Sequence, residues 1–258
     1  MKYKTLILLT CHESRDCVHD TIFNIQKFNE DTCIVVNNGI HNDDLVDLKN
    51  EHVHIVNREI PKQWIWSLIP YHIEMWDYIL ENDIQAEYVL MLSSNQSFVK
   101  HGFYDFVKNY KAGYWPRQLS VDNVRDFHCN CHQNNLMNND ITFCNNILND
   151  LGKENFIHQS NHDGMFYNWE IYSNMMMYFE NHRRMPIHHH SEEFFYIAYL
   201  IKHVSKKEMA EYSQYNYHHS DQLTTEQIDT AIAAGYYIVK RIARVYDNPG
   251  RTYIRLLS

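Results

Sequence analysis

Glu192 and Glu193 stand where a proton acceptor could work, directly after His188, His189, His190 and Ser191 and just before Phe194 and Phe195. A carboxylate within hydrogen-bond reach of a hydroxyl can take its proton as that oxygen attacks an electrophile. Ser191 suits a helix N-cap, and the first turn of a helix favours acids in their ionised form. An ordinary acidic first turn would have the same pattern. Further along, Lys240, Arg241, Arg244 and Arg251 form the densest basic stretch of a chain whose formal net charge is −9. Arginine grips phosphate through parallel hydrogen bonds and lysine acts on it as a point charge. A solvated basic face is the alternative reading.

The segment His128-Cys129-Asn130-Cys131-His132 carries zinc-ligand residue types. Its spacing lacks the second Cys/His pair of a structural zinc site, and Cys144, His158 and His162 would join only if the chain folded back. Three adjacent histidines at 188–190 cannot all face one ion in regular structure. No metal site is therefore expected.

These groups need a scaffold. Thr5–Thr10, Thr32–Asn37, Val53–Val56 and Tyr88–Leu92 are short, continuously apolar runs, the mark of strands buried on both faces of a parallel sheet. Helices are predicted over Asp16–Phe28, Pro70–Asn82, Trp169–Glu180, Glu192–His203 and Thr225–Ala234, the last ending at Gly235, with a short helix at Arg251–Leu257 and a strand at Tyr236–Val239. The order implies a single α/β domain with a mostly parallel, Rossmann-like sheet flanked by helices. Such sheets bind ligands beyond the carboxyl ends of their strands. Thr10–Glu13, Asn37–Gly39 and Ser93–Ser97 should therefore converge on one crevice. The stretch 121–155, rich in Asn, His and Cys, reads mostly as loop. Trp76 reads as core, whereas Trp64 and Trp66 are left as core or sugar-stacking residues.

Composition narrows the class. In 258 residues, 45% hydrophobic content suffices for a sizeable core, and the 7 glycines leave no room for a glycine-rich phosphate loop. The acidic balance argues against a general nucleic-acid binder. No apolar run approaches the roughly 20 residues of a membrane span, and nothing near Met1 reads as a secretory signal. The six cysteines are expected to be reduced thiols in a cytoplasm.

With the order of elements in place, the chain resembles the core-2 and I-branching N-acetylglucosaminyltransferases and the related protein xylosyltransferases, inverting enzymes of the GT-A type. Tyr88-Val89-Leu90-Met91-Leu92-Ser93-Ser94-Asn95 is similar to that family's strand ending in Leu-Ser-Gly-x-Asp. Ser191-Glu192-Glu193-Phe194-Phe195 is similar to its acidic stretch followed by paired aromatics. Lys240-Arg241 with Arg244 and Arg251 resembles its basic tail. Asn95 or Gln96 stands where the family often has Asp, and alignment on the aromatics or on Ser191 favours Glu192 or Glu193 respectively. The family's membrane anchor and luminal cysteines have no counterpart, which suits a soluble viral or bacterial relative.

The resemblance implies transfer of a sugar from a UDP-sugar to a glycan or glycoprotein hydroxyl. Glu192 or Glu193 would be the base, and Lys240, Arg241, Arg244 and Arg251 would neutralise the leaving diphosphate. No Asp-x-Asp occurs in the chain. The resemblance thus implies that basic residues replace the Mn²⁺ or Mg²⁺ many GT-A enzymes hold, and no cofactor is expected. Thr10, His12, Arg15, Asn37, Asn38, Ser94 and Asn95 would contribute to the donor pocket in a half covering 1–115. His162, Asp163 and Trp66 would contribute to the acceptor site in a half covering 116–258. Two other functions fit the residues: a non-catalytic carbohydrate-binding domain on the same fold, and a metal-dependent hydrolase built on the His/Cys clusters.

Overall fold

A computed structural model describes residues 2–38, 43–56, 68–114, 117–118, 149–152, 158–159, 162–181, 192–211, 214–216 and 222–258. The cluster at 128–132, Trp64, Trp66 and 188–191 lie outside these, as does most of the predicted loop at 121–155.

The chain opens with β1 (Lys2–Cys11), α1 (Arg15–Phe28), β2 (Thr32–Asn38), β3 (Val53–Val56), α2 (Ile69–Glu81) and β4 (Gln85–Ser93). Each apolar run read from the sequence is a strand, extended by up to three residues at either end. β3, β2, β1 and β4 lie side by side in parallel. Their side chains alternate between two cores. Leu6, Leu8, Val89 and Met91 face one, packed with Ile73, Trp76 and Ile79 of α2. Ile7, Leu9, Leu90 and Leu92 face the other, packed with Val18, Ile22, Ile25 and Phe28 of α1. A strand covered on both faces has no polar alternation to show, which is why these runs are continuous.

Beyond β4 come β5 (Gln96–Phe98), α3 (Phe103–Val107), β6 (Ala112–Tyr114), β7 (Arg117–Gln118), β8 (His158–Gln159) and β9 (Phe166–Asn168). Then follow α4 (Trp169–Glu180), α5 (Glu192–His203), β10 (Met209–Glu211), β11 (Gln214–Asn216), α6 (Thr225–Ala233), β12 (Ile238–Lys240) and α7 (Pro249–Leu256). The central sheet has 7 strands in the order β10-β6-β9-β4-β1-β2-β3. β9 is antiparallel to both its neighbours, β4 and β6, and β10 is parallel to β6. The α/β class with a mostly parallel central sheet is thus the one observed, with helices on both faces.

Residues 166–168, to which no element was assigned from the sequence, are a strand near the middle of the sheet. The short strands β5, β6, β9 and β10 were not legible, because three residues give no periodicity. β11, β12 and β5 form a separate sheet, with β12 parallel to β11 and antiparallel to β5. This sheet carries a third core of Val99, Leu223, Ile228, Ala231, Val239, Ile242 and Ile254 under α6 and α7. Among the described residues, no helix is long and apolar enough to cross a membrane.

Gly113 is a point of close approach in the central sheet. It pairs with Phe166, and a methyl group on it would penetrate the Phe166 ring. That ring is fully buried and meets Tyr88, Phe103 and Phe106 edge-on, so it has nowhere to retreat. Gly113→Ala is expected to cost about 1–3 kcal/mol by overpacking, read as a lowered midpoint in denaturant. An unchanged midpoint would mean the aromatic cluster yields.

Candidate functional site

The sheet register brings the predicted loop starts to one level. Thr10 of β1 lies opposite Asn37 of β2 and opposite Ser93 of β4, and Cys11 lies opposite Asn38. Asn37 and Asn38 are buried, and the Cys11 thiol donates to the Asn37 carbonyl at 3.6 Å. Thr10 and His12 are half-buried. Glu13 follows, its Oε2 accepting the His12 backbone N–H at 2.8 Å and its Oε1 lying 3.4 Å from His12 Nε2. Arg15, predicted for the donor pocket, is engaged by Asp47 of the 3-10 turn Asp43–Leu48.

The turn between β4 and β5 joins this edge to the basic stretch. The Ser93 N–H donates to Gln96 Oε1 at 2.7 Å, and the Ser93 hydroxyl donates to Asn95 Oδ1 at 2.6 Å. The Asn95 carbonyl then accepts two backbone donors from beyond β12, Arg241 N–H at 3.1 Å and Ile242 N–H at 3.0 Å. To present both, Arg241 takes a φ of +84°. A side chain in that left-handed region costs on the order of 1–3 kcal/mol, and such strain concentrates at functional sites. Among the described residues no acceptor meets the buried Arg241 Nε. The fully buried Ser94 hydroxyl has no partner there either.

The structure separates the cations that the sequence grouped. Arg251 is 2% exposed. Its guanidinium donates to Asp20 Oδ2 at 3.0 Å, Thr21 Oγ1 at 3.3 Å, Ser94 O at 2.5 Å and Ala243 O at 2.5 Å. With four donors taken by protein, it is a tie beneath the crevice rather than an open phosphate ligand. Arg244 is partly exposed, with Nε 2.7 Å from Glu13 Oε1. Lys240 is buried and paired with Asp163.

Asp163 links the basic stretch to the acidic helix. His162 Nε2 lies 2.9 Å from Asp163 Oδ1, and His162 Nδ1 lies 3.7 Å from Glu192 Oε1. Glu192 begins α5, is fully buried, and accepts the Leu68 N–H on Oε2 at 3.1 Å where α2 starts. A continuous chain therefore runs Glu192–His162–Asp163–Lys240. Gln214 of β11 braces it by donating to the Asp163 carbonyl and accepting from Gln96. Gly164 permits this approach: its φ is +87°, and a side chain there would strike Gln214. Glu193, one position on, is partly exposed.

Charge in this cluster is strongly organised. Burial opposes ionisation of Asp163, yet His162 and Lys240 overcome it and hold its carboxyl well below the usual range. Burial likewise disfavours a charged His162, but Asp163 and then Glu192 outweigh it and raise its pKa. The neighbouring His72 on α2, with its ring centroid 5.7 Å from that of His162, is pushed down to about 3, by burial first and by His162 second. His72 Nδ1 and the Tyr196 hydroxyl are 2.7 Å apart. The carboxylates thus favour the imidazolium of His162, whereas burial favours the neutral form of His72.

Reasoning from sequence missed Asp20 and Gln214, and it gave Glu13 and Gln96 no role of their own beyond lying in segments expected at the crevice. A signal existed for Asp20. Cys17, Asp20, Thr21 and Asn24 recur at helical spacing on α1 and are all buried, so this polar stripe faces protein. Asn24 binds both the N–H and the carbonyl of Phe98. For Gln214, the sequence carries no such pattern.

No family model matches the chain, and no curated protein matches it. Among solved structures, the glycosyltransferase GlyE of Streptococcus pneumoniae TIGR4 is similar over 94% of this chain at 9% identity, with a TM-score of 0.41. Its apo form is similar over 93% at 9% identity, with a TM-score of 0.42. The chain spans 55% of the length of either.

Proposed function

We propose that this protein is an inverting glycosyltransferase that moves a sugar from a UDP-sugar to a glycan hydroxyl. The observation that supports this reading is the contact chain from Glu192 through His162 and Asp163 to Lys240. It joins the proposed base to the basic stretch at the carboxyl edge of the sheet, where open α/β sheets take their ligands. The resemblance of the β4 end, the α5 start and the basic tail to the core-2 and xylosyltransferase family agrees with it.

In this reading the nucleotide lies along Thr10, His12, Asn37 and Asn38, with the Ser94–Asn95 turn beneath the diphosphate. Arg241 and Arg244 balance the charge that develops as the sugar–phosphate bond breaks. Glu192 takes the acceptor hydroxyl proton while the hydroxyl oxygen attacks the anomeric carbon from the opposite face. Asp163 and Lys240 hold the floor between the two halves of the reaction. Transfer proceeds without a divalent metal. A second reading, a sugar-binding module without catalysis, is favoured by the complete burial of Glu192, which suits a structural anchor as well as a base.

Isothermal titration with UDP tests the site. Wild type binds UDP, and Arg241→Ala and Arg241→Gly weaken binding about ten- to a hundredfold, the worth of charge-assisted hydrogen bonds to a phosphate. Arg241→Gly should also raise the melting temperature, since glycine accepts the positive φ without strain. Transfer persists in excess EDTA. No UDP binding by the wild type would end the donor-site reading, and activity lost in EDTA and restored by Mn²⁺ would end the metal-free part of it.

A further inference from the structure

The two ends of an amide side chain differ only in what they bind, so its neighbours decide which end is nitrogen. Behind the end of β4, a row of amides can be oriented from its two fixed ends. The Asp163 carbonyl can only accept, so Gln214 turns its Nε2 toward that oxygen and its Oε1 toward Gln96. Gln96 then gives its Nε2 to Gln214. That leaves Gln96 Oε1 facing the Ser93 N–H, which can only donate, at 2.7 Å. The two ends agree, and both glutamines are fully buried, away from competing water. The Ser93 hydroxyl lies 3.0 Å from the same Gln96 oxygen but 2.6 Å from Asn95 Oδ1. A contact of 2.6 Å is the length of an O–H···O bond and is short for N–H···O. Asn95 therefore turns its oxygen inward to Ser93 and its Nδ2 away.

Asn95 is 9% exposed. Among the described residues its Nδ2 meets no acceptor, and that nitrogen is not sealed from solvent. The acceptors around it are already filled. The Asn95 carbonyl takes the N–H groups of Arg241 and Ile242, and the Ser94 carbonyl takes the Arg251 guanidinium. An open donor beside spent acceptors suits a ligand group that only accepts. Phosphoryl oxygens are such a group. A metal ion is not, because the one side-chain oxygen of Asn95 faces inward.

We propose that Asn95 is a specificity-determining residue whose Nδ2, aimed by the Gln214–Gln96–Ser93 row, donates to a phosphoryl oxygen of the ligand. The proposal deepens the glycosyltransferase reading and rests on it for the nucleotide part of that ligand. Ser93, Gln96 and Gln214 act through Asn95 as positioning residues. Aspartate at this position isolates the role of the amide. It has nearly the same shape and keeps the oxygen that accepts the Ser93 hydroxyl. It loses only the donor, and it sets a negative charge where the phosphoryl group would lie.

The test is isothermal titration with UDP and with pyrophosphate, without added metal, in wild type, Asn95→Asp, Ser93→Ala and the double variant. Asn95→Asp should weaken both ligands about ten- to a hundredfold. Ser93→Ala frees the amide to turn and should weaken both about threefold. It should add nothing in the Asn95→Asp background, a result that a merely structural Ser93 would not give. In wild type, the Asn95 side-chain ¹⁵N–¹H signals should move downfield as either ligand is added, a readout that survives if a variant fails to fold. Unchanged affinity for both ligands in Asn95→Asp, or Asn95 signals that stay still while a ligand binds, overturns the proposal and leaves the glycosyltransferase reading standing. Pyrophosphate binding that depends on Asn95, in a protein that binds no UDP, keeps the phosphoryl site and removes the nucleotide. Binding of neither ligand overturns both.

Discussion

Replacing Glu192 with Gln is expected to lower sugar transfer about 10²–10⁴-fold, the usual contribution of a positioned general base. The fold should survive. Gln keeps the volume of a fully buried side chain and keeps an oxygen to accept the Leu68 N–H, now 3.1 Å from Oε2. UDP affinity should stay near wild type, because no described contact joins Glu192 to Arg241 or Arg244. The loss thus falls on the chemical step, the pattern of an interaction made in the transition state. Glu193→Gln is the control. That residue is partly exposed beside Glu192, so its change should leave transfer within a few-fold of wild type. Full activity in Glu192→Gln would make Glu192 an anchor between α5 and α2, and loss confined to Glu193→Gln would move the base by one position.

Arg251→Ala should have the largest effect on stability, about 3–5 kcal/mol, because it breaks a buried ion pair from one side. Among the described residues the Asp20 carboxylate would retain Arg255 as its one cation, 2.6 Å from Oδ1. The carbonyls of Ser94 and Ala243 would lose a donor that contacts each at 2.5 Å. For a chain of this size the melting temperature should drop by about 6–20 °C. Arg251 ties α1, the Ser94–Asn95 turn and the Arg241–Arg244 loop together, so under the proposed donor site UDP binding should weaken as well. Arg251→Lys should recover only part of the stability, since one ammonium cannot span all four acceptors. A coupling energy near zero in an Asp20→Asn/Arg251→Ala double-mutant cycle would refute the tie. So would an Arg251→Ala protein that melts like wild type but no longer binds UDP, since that result would restore Arg251 to the phosphate.

The legible part of the fold was the part written in local pattern. β1, β2, β3 and β4 are runs of four or more apolar residues, and α4 and α5 were bounded correctly by their amphipathic spacing. α6 ends at Ala233 and Gly235 follows with φ +90°, as a glycine past the last turn suggests, and a capping box between Thr224 and Gln227 begins it. The start of α7 was placed two residues late, although Asn248 caps it and Pro249 opens it. β9 was missed because Phe166–Asn168 is too short to show a period, and its place between β4 and β6 is fixed by pairing with residues far away in sequence.

The sequence by itself determined where the main strands and helices run and which strand ends share one edge of the sheet, because strand and helix periodicity are local properties of the chain. It marked Glu192, His162, Asp163 and the basic stretch as chemically able. Only the tertiary structure decided how they share the work. Arg251 meets Asp20 across 231 residues and Lys240 meets Asp163 across 77, and no spacing rule reaches that far. Whether an arginine is an open hand or a closed tie depends on which carbonyls and carboxylates surround it when water is excluded, and that environment exists only once the chain has folded.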